Sequence, residues 1–334
     1  MSSEQRLVNI AIIFIAVVVF IVVLKELQAF LRPFAIALIL TFLLMPVLRF
    51  SRRTKLPMSV IVVGVVIVLF FLTFLLVWVV SNQTANLNER LALLVGSFET
   101  MLETTAVGGV PLSEFIDPNA IGRAIATAVR QGAAGIGNFI SELFLAILFT
   151  LFILPSHERL VHAIGAGLDE RKRKRFQSAL RETEEAIRGY LYAKTLISLG
   201  TAVATALLLW AFQSDLVIVL ALITFILNYI PNIGSVFAVI VAAGVYALLH
   251  GLGWPLLFLT LLLILVQAFF GNYLEPKFAG RKLSLSPTII LLSLFLWYWI
   301  WGVVGMLLAV PLTSILRIVL SHIDATKPAA KWLS

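Results

Sequence analysis

The chain has 334 residues, of which 61% are hydrophobic and only 13% are charged. This composition, with a mean hydropathy of +1.05, excludes an ordinary water-soluble domain and indicates an integral membrane protein. The formal net charge of +8 does not indicate nucleic-acid binding, because the basic residues flank apolar runs instead of forming one basic face.

The sequence lacks cysteine and the motifs of common catalytic and metal sites. There is no cysteine, which excludes disulfides, thiolate metal sites and cysteine nucleophiles. The histidines do not show the H-E-x-x-H spacing of zinc hydrolases, and no G-x-S-x-G or phosphate-binding G-x-x-x-x-G-K-[ST] motif occurs. We therefore expect no enzymatic activity, no metal, no cofactor and no ATP-driven pumping in this chain.

Long apolar runs predict helices that cross a membrane. A helix needs about 20 apolar residues to span a hydrocarbon core of about 30 Å. Such runs occur at 7–24, 34–48, 58–80, 139–154, 195–212 and 255–270. The first run is followed by Lys25 and Glu26 instead of a small-residue cleavage site, so we expect an uncleaved signal anchor.

Two further apolar regions are interrupted in the middle. Residues 216–249 are broken by Pro231 and Gly234, and residues 289–320 contain Gly302, Gly305 and Pro311. Each region could form two full passes or a re-entrant helical hairpin, and the sequence leaves both open. Gly302 and Gly305 are expected to be positions of close packing between helices. The expected fold is all-α: a polytopic membrane protein of about eight transmembrane segments.

The distribution of charge in the loops predicts the orientation. The loop before the third span contains Arg49, Arg52, Arg53 and Lys55 and no acidic residue, which places it in the cytoplasm. Acidic residues outnumber basic ones in 81–142, whereas basic residues dominate 156–194. We therefore expect a multi-pass protein of the cytoplasmic (inner) membrane with both termini in the cytoplasm.

These features divide the chain into successive segments. Two of them, 81–138 and 156–194, are expected to be helical and to lie outside the membrane. Apolar residues at helical spacing predict amphipathic helices in both extramembrane segments, and Asp169 is the expected N-terminal cap of the inner one. Their apolar faces could cover the protein's own membrane domain, lie on lipid or support oligomerisation. The expected segments are N-terminal transmembrane helices (1–80), an extracytoplasmic helical segment (81–138), a transmembrane helix (139–155), a cytoplasmic charged helix (156–194), a C-terminal transmembrane core with interrupted helices (195–320) and a cytoplasmic tail (321–334).

Polar side chains at membrane depth are the candidate functional residues, because they are costly in hydrocarbon unless they face a partner or water. Pro231 removes a backbone donor and is expected to free the carbonyl of Leu227. Interrupted helices offer such groups to ions and polar solutes in transporters. The candidates for a solute or ion site are Asn228, Tyr229, Pro231, Asn232, Gly234, Gln267, Asn272 and Glu275.

Structural interpretations compete with these functional ones. Proline and glycine are common in membrane helices, and the stretch from Asn272 to Glu275 could lie at headgroup level. Glu275 could simply pair with Arg281 at the interface. Glu142, one turn into its span, is expected to be an anchor at the outer edge.

The C-terminal motifs resemble a known family. They are Pro231-x-x-Gly234, Asn272-Tyr273-Leu274-Glu275-Pro276, Gly280-x-x-Leu283-x-Leu285-x-Pro287 and Gly302-x-x-Gly305-x-x-Leu308-Ala309-Val310-Pro311. In this order and spacing they are similar to the autoinducer-2 exporter (AI-2E) family of membrane proteins. Ser286 departs from the pattern, because many relatives carry histidine before the proline, so a proton-handling role at that position does not transfer.

The resemblance implies a permease of the cytoplasmic membrane and a homo-oligomer such as a pentamer. Family members are associated with export of the quorum-sensing signal autoinducer-2 or with extrusion of sodium or lithium in exchange for protons. We therefore expect a secondary transporter whose partners are membrane lipid and a small polar solute or a monovalent cation. The alternative is a non-transporting scaffold or regulator that acts through the extramembrane helices.

Overall fold

The computed structural model describes residues 3–54, 57–84, 117–214, 216–251, 253–279, 285–324 and 326–333, with short pieces between 96 and 111. Most of these residues are helical. A two-residue antiparallel pair, β1 (Ala106–Val107) and β2 (Val110–Pro111), aligns Ala106 with Pro111. The helices are α1 (Ser3–Glu26), α2 (Gln28–Thr54), α3 (Met58–Thr84), α4 (Pro118–Ala166), α5 (Glu170–Ala211), α6 (Val217–Leu227), α7 (Ile233–His250), α8 (Trp254–Ala268), α9 (Glu275–Ala279), α10 (Pro287–His322) and α11 (Lys327–Trp332).

The helices confirm the predicted class of all-α polytopic membrane protein. Among the described residues, 5 helical segments are long and apolar enough to cross a membrane, and three shorter apolar segments lie at Val60–Leu75, Val217–Leu227 and Ile233–Ala247. Large apolar side chains such as Phe71, Phe152 and Trp210 are exposed. Apolar surface of this kind is stable only against lipid or another apolar surface.

Two helices are longer than the sequence suggested. α4 joins the predicted outer helix around 121–129 to the span at 139–154, and α5 joins the charged helix to the span at 195–212. The predicted cap of α5 is confirmed, because the Asp169 carboxylate accepts a 2.9 Å hydrogen bond from the Lys172 backbone N–H. That bond and the Lys172 side chain lower the pKa of Asp169 below its usual value.

The chain divides into two compact units. The terminal unit consists of Met1–Ile67, Glu142–Arg188 and Leu283–Ser334, and the central unit consists of Val68–Ser141 and Gly189–Lys282. In the terminal unit, Val62 and Leu154 are buried together with Leu44 and Leu151 against them. In the central unit, one buried apolar cluster joins α5, α6, α7 and α8 through Leu209, Leu220, Ala242, Tyr246, Leu259 and Leu263.

An ion pair links α2 and α4 in the terminal unit. The Arg32 guanidinium lies 3.1 Å from the Glu142 carboxylate, and both side chains are mostly buried. Gln28, one turn before Arg32, also accepts a hydrogen bond from the guanidinium. Glu142 is therefore bound by a partner on another helix, and its expected role as an anchor at the outer edge stays a prediction.

α10 is a helical hairpin with two arms. Gly302 interrupts it with φ +65 and ψ −147, which is a left-handed conformation that glycine adopts easily. The Trp297 indole N–H donates to the Thr313 hydroxyl at 3.1 Å, although these residues would lie about 24 Å apart in a straight helix. The arms, 287–301 and 303–322, therefore run back along each other.

The hairpin in α10 depends on a glycine that touches the opposite arm. A Cβ added to Gly305 would lie 2.1 Å from the carbonyl oxygen of Trp297 and 2.8 Å from the Cβ of Trp301. The end of α1 holds the same region, because the Trp301 indole donates to the Leu24 carbonyl at 2.9 Å. Ser286 accepts a hydrogen bond from the Ile289 N–H and so caps the start of α10.

Ion pairs connect α5 to the end of α10 and to the residues that follow it. Asp324 accepts hydrogen bonds from Arg175 at 2.6 Å and from Lys327 at 2.7 Å. These bonds, the one from Lys327 first, lower the pKa of the Asp324 carboxyl to about 2. His322 lies 3.7 Å from Glu182, which is a second contact of the same kind. The tail helix α11 is thus joined to the charged part of α5.

Substituting Gly305 by alanine should destabilise the protein. The new methyl group meets backbone, which cannot move away as a flexible side chain can, so we expect a loss of about 1–3 kcal/mol. Thermal unfolding in detergent measures the effect. Gly64→Ala is the matched control, because an added Cβ at Gly64 has nothing within 4 Å. Equal melting temperatures for the two variants would contradict the close contact with Trp297.

Substituting Asp324 by asparagine should loosen α11. The pKa of the Asp324 carboxyl is lowered from 3.8 to about 2 in the folded protein. The ionised carboxylate therefore stabilises the fold fully above the pKa of the unfolded state, and this stabilisation is lost as the pH falls through the folded-state pKa. A single cysteine at the buried Ala330 reports the opening of α11. We expect it to react about two- to fivefold faster with a maleimide after Asp324→Asn.

The control for this labelling is Glu185→Gln, which removes an exposed ion pair within α5, to Arg181. It should leave the reaction rate of the cysteine at 330 unchanged. An equal increase in both variants would show that the effect comes from general destabilisation and not from the contact of Asp324 with Arg175.

Candidate functional site

One face of α5 carries polar side chains through the central unit. Tyr190, Lys194, Ser198, Thr201 and Thr205 are all buried, and their spacing of three or four residues places them on one side of the helix. We call this set the polar face of α5. Sequence analysis missed it, because Lys194 was counted only as a loop charge. Hydroxyl side chains at helical spacing within an apolar span are the pattern that could have indicated this face.

The helices α6 and α7 form a second hairpin, which lies against this face. A Cβ added to Gly234 would lie only 1.7 Å from the carbonyl oxygen of Leu227, although these residues would be about 10 Å apart in a straight helix. The chain therefore reverses at residues 228–232, which we call the tip. Asn232 adopts φ +59 there, a conformation that asparagine tolerates better than most residues.

The first arm of this hairpin is too short to cross a bilayer. α6 has 11 residues, which is about 16 Å of helix, or about half of the hydrocarbon core. α7 has 18 residues, or about 27 Å. The tip contacts Ser198 and Thr201, which lie well inside α5 and not at its end. These lengths favour a re-entrant hairpin over two full passes.

The tip does not offer the free carbonyl that the sequence predicted. The carbonyl of Leu227 accepts a 2.9 Å hydrogen bond from the Ile230 N–H, and the Ile230 carbonyl accepts one from the Gly234 N–H at 3.1 Å. The prediction was wrong because it assumed a continuous helix, in which position 231 would be the donor. In the observed turn, the N–H of Ile230, one residue before the proline, donates to the Leu227 carbonyl instead.

Two side chains of the tip bind to α5, one of them through the polar face. The Asn228 amide nitrogen lies 3.3 Å from the Ser198 hydroxyl and 3.4 Å from that of Thr201. The hydroxyl groups of Tyr229 and Thr195 are 2.7 Å apart. Asn228 is only 5% exposed. These contacts form a buried group of hydroxyls and an amide within apolar helices, which we call the tip cluster.

A buried ion pair continues the polar face beyond the tip cluster. The Lys194 ammonium lies 2.5 Å from the Glu275 carboxylate, with side chains 2% and 25% exposed. Glu275 begins α9 directly after a π-helical segment, Phe269–Leu274, and such segments are frequent at functional sites. The predicted alternative partner, Arg281, lies outside the described residues. The carboxylate pairs with a lysine that sequence analysis had not considered.

The other predicted site residues occupy different surroundings. Gln267 is buried, and its amide oxygen has no hydrogen-bond partner among the described residues. Asn232 and Asn272 are exposed, and Lys277 covers the exposed ring of Tyr273. Pro231 and Gly234 shape the tip. The structure thus brings Asn228, Tyr229 and Glu275 to α5 and leaves Asn232 and Asn272 outside this group.

The polar groups of the central unit carry little net charge. The charges of Lys194 and Glu275 compensate each other, and the tip cluster supplies hydroxyl and amide groups that both donate and accept hydrogen bonds. Within the described ranges, no three His, Asp or Glu side chains are grouped so as to hold a metal ion. Such an arrangement suits a small polar molecule with hydroxyl or carbonyl groups.

The ion pair can be tested by double substitution. Lys194→Met and Glu275→Gln should each lower the unfolding free energy by up to about 3 kcal/mol, since each leaves one charge or polar partner unsatisfied. The double variant should recover most of this loss. Thermal unfolding in detergent measures all three proteins, and additive losses in the double variant would show that the two residues do not interact.

Comparison with known proteins identifies the family of this chain. The profile of the AI-2E family transporter matches residues 10–325. The AI-2 transport protein TqsA of Escherichia coli K12 is 32% identical over 312 residues, which cover 90% of this chain and 88% of that protein. A proposed transport protein of Borreliella burgdorferi is 29% identical over 338 residues, with 96% and 88% covered. The chain therefore belongs to the AI-2E family of transporters.

Proposed function

We propose that this protein is a secondary transporter of the cytoplasmic membrane that exports a small, uncharged polar solute of the autoinducer-2 kind. The observation that carries the proposal is the tip cluster: a buried amide and several hydroxyls, held by a broken helix whose first arm is about half as long as a bilayer core is thick. These groups bond to one another, and the buried Tyr190 and Thr205 hydroxyls on the same helix face have no partner among the described residues. Unpaired polar groups are costly in hydrocarbon, so a polar ligand that bonds to them would be stabilised there.

The chemistry of the tip cluster favours an uncharged solute. Asn228, Ser198 and Thr201 carry no formal charge, and the nearest ionic groups, Lys194 and Glu275, already neutralise each other. A molecule with several hydroxyl or carbonyl groups could exchange its hydrogen bonds to water for bonds to these side chains. The relative TqsA is named for transport of AI-2, which agrees with a solute of this class.

Exchange of sodium for protons is the second candidate. One observation favours it: the Glu275 side chain is one quarter exposed, so a cation could reach a carboxylate oxygen that Lys194 does not cover. Oxygen ligands such as carboxylates and hydroxyls are those that hard cations prefer. In this alternative, the cation would compete with the Lys194 ammonium for Glu275.

The arrangement in the membrane is part of the proposal. The distribution of loop charge supports cytoplasmic termini and an extracytoplasmic segment at 81–138. In this orientation, α6 enters from the outer side and the Lys194–Glu275 pair lies toward the cytoplasm. Extensive exposed apolar surface is compatible with the homo-oligomer that the sequence suggested, besides contact with lipid.

Flux in proteoliposomes tests this function. Labelled autoinducer-2 and sodium are followed separately with imposed proton and sodium gradients. We expect exchange of autoinducer-2, and we expect Asn228→Ala to reduce it about tenfold, since the substitution removes two hydrogen bonds from the tip cluster. Asn138→Ala is the matched control, because Asn138 is exposed on α4.

Each outcome distinguishes between the candidates. Sodium flux without solute flux would favour cation exchange. The absence of both, in protein shown to be folded, would favour the scaffold alternative. Equal solute flux in the Asn228 and Asn138 variants would remove the tip cluster from the transport site.

A further inference from the structure

We propose that Lys194 is a built-in competitor of the transported solute, and that protonation of Glu275 releases it into the tip cluster. The protein would then exchange one proton for one solute molecule, because the released ammonium and the solute occupy the same hydroxyl groups in turn. This inference rests on the proposed function and adds the coupling ion and its mechanism.

The first step concerns which partner of the ion pair takes up a proton. Glu275 is the less buried partner, with a side chain 25% exposed against 2% for Lys194, and it lies three residues before the end of the apolar segment Trp254–Phe278. A proton that enters from this end of the segment therefore reaches the carboxylate before the ammonium. Its addition converts the carboxylate to a neutral carboxylic acid and leaves the lysine as an ammonium ion, so no other group loses or gains a proton.

The second step concerns where the ammonium ion goes. A buried ammonium without a carboxylate partner is strongly unfavourable and must find other acceptors. Among the described residues, Tyr190 on α5 interacts with Glu275 and with Tyr229 at the tip, and Lys277 on α9 lies over the Tyr273 ring. None of them is an anion in its ordinary state. The acceptors that the described part of α5 offers to the ammonium are therefore neutral.

The polar face of α5 supplies these acceptors at the right spacing. The buried Tyr190 hydroxyl lies one turn before Lys194 and has no hydrogen-bond partner among the described residues. Ser198 lies one turn after it and contacts Asn228. The four-carbon stem of lysine is flexible and reaches one turn in either direction. An ammonium at Ser198 occupies an oxygen atom that the solute would use.

The third step makes the two ligands exclude each other. When Glu275 is ionised, Lys194 remains in the ion pair and the tip cluster is open to the solute. When Glu275 is protonated, the ammonium fills the cluster and the solute is displaced. When the site opens to the other side of the membrane, Glu275 releases its proton to that side and Lys194 returns to the carboxylate. The tip cluster is then open to one solute molecule, so each cycle exchanges one proton for one solute.

The π-helical segment before Glu275 gives the site a means of movement. Phe269–Leu274 carries wider turns than an α-helix, and such segments hold one residue more than the regular helix would. A change to regular α-helix would turn Glu275 by about 100° around the axis. Loss of the ion pair removes the contact that holds Glu275 in its present direction.

The binding of autoinducer-2 to the protein in lipid nanodiscs tests the inference. In the wild type, acid buffer should weaken binding about tenfold or more relative to alkaline buffer. Glu275→Gln should bind weakly at every pH, because Lys194 is always released. The double variant Lys194→Met/Glu275→Gln should bind tightly at every pH, because the competitor is gone.

Transport separates coupling from stability. The double variant should exchange labelled solute across the membrane but should not accumulate it against a gradient when a proton gradient is imposed. A purely structural ion pair would restore both activities together in the double variant. Accumulation by the double variant, or pH-independent binding by the wild type, would overturn the proposal.

An experiment without solute tests the protonation of Glu275 separately from the identity of the solute. Infrared difference spectra between alkaline and acid buffer should show the band of a neutral carboxylic acid in the wild type and not in Glu275→Gln. If this band is missing from the wild type, Glu275 does not take up the proton and the inference fails. If it is present but autoinducer-2 does not bind, the proposed solute alone is wrong.

Discussion

The structure depends on how a chain can reverse inside a membrane without leaving backbone groups unpaired. Hydrocarbon offers no hydrogen bonds, so a turn at membrane depth must satisfy its own N–H and C=O groups. Two hairpins, one in each unit, use the same device. Gly234 lies against the carbonyl of Leu227, and Gly305 lies against that of Trp297. At both positions any side chain would separate the arms.

This device also explains why a functional site can form at the tip of α6 and α7. The backbone N–H groups of Ile230 and Gly234 donate their hydrogen bonds within the turn. The turn therefore does not need the side chain of Asn228, which is available to another helix. The polar face of α5 meets it with Ser198 and Thr201. Hydroxyls on that face are also kept in place by their own helix, as in the bond from Thr201 to the Ile197 carbonyl at 2.8 Å. The site therefore joins a rigid helix to a short re-entrant arm.

The same helix joins two kinds of chemistry that a linear sequence separates. Lys194 ends the charged stretch of α5, and Ser198 begins its apolar stretch, yet both lie on one buried face. In the mechanism that we propose, an ion pair next to neutral hydroxyls would give the central unit a charge that one proton switches. A site made only of hydroxyls and amides would bind a polar solute but would have no direct means of coupling it to an ion gradient.

The sequence by itself determined the membrane class, the positions of the apolar helices, the interruptions at Pro231 and Gly302, and membership of the family. These depend on composition and local spacing, which the hydrophobic effect and backbone geometry translate directly into helices. It also identified Asn228, Tyr229 and Glu275, because polar groups are rare in apolar runs. Only the tertiary structure decided that the interruptions are hairpins, that the Leu227 carbonyl is bonded, and that Lys194 is the partner of Glu275. The ion pair joins residues far apart in sequence, on α5 and α9, and the bond to the Leu227 carbonyl exists only because the chain turns there. The hydrophobic pattern of the sequence specifies neither the contact nor the geometry of the turn.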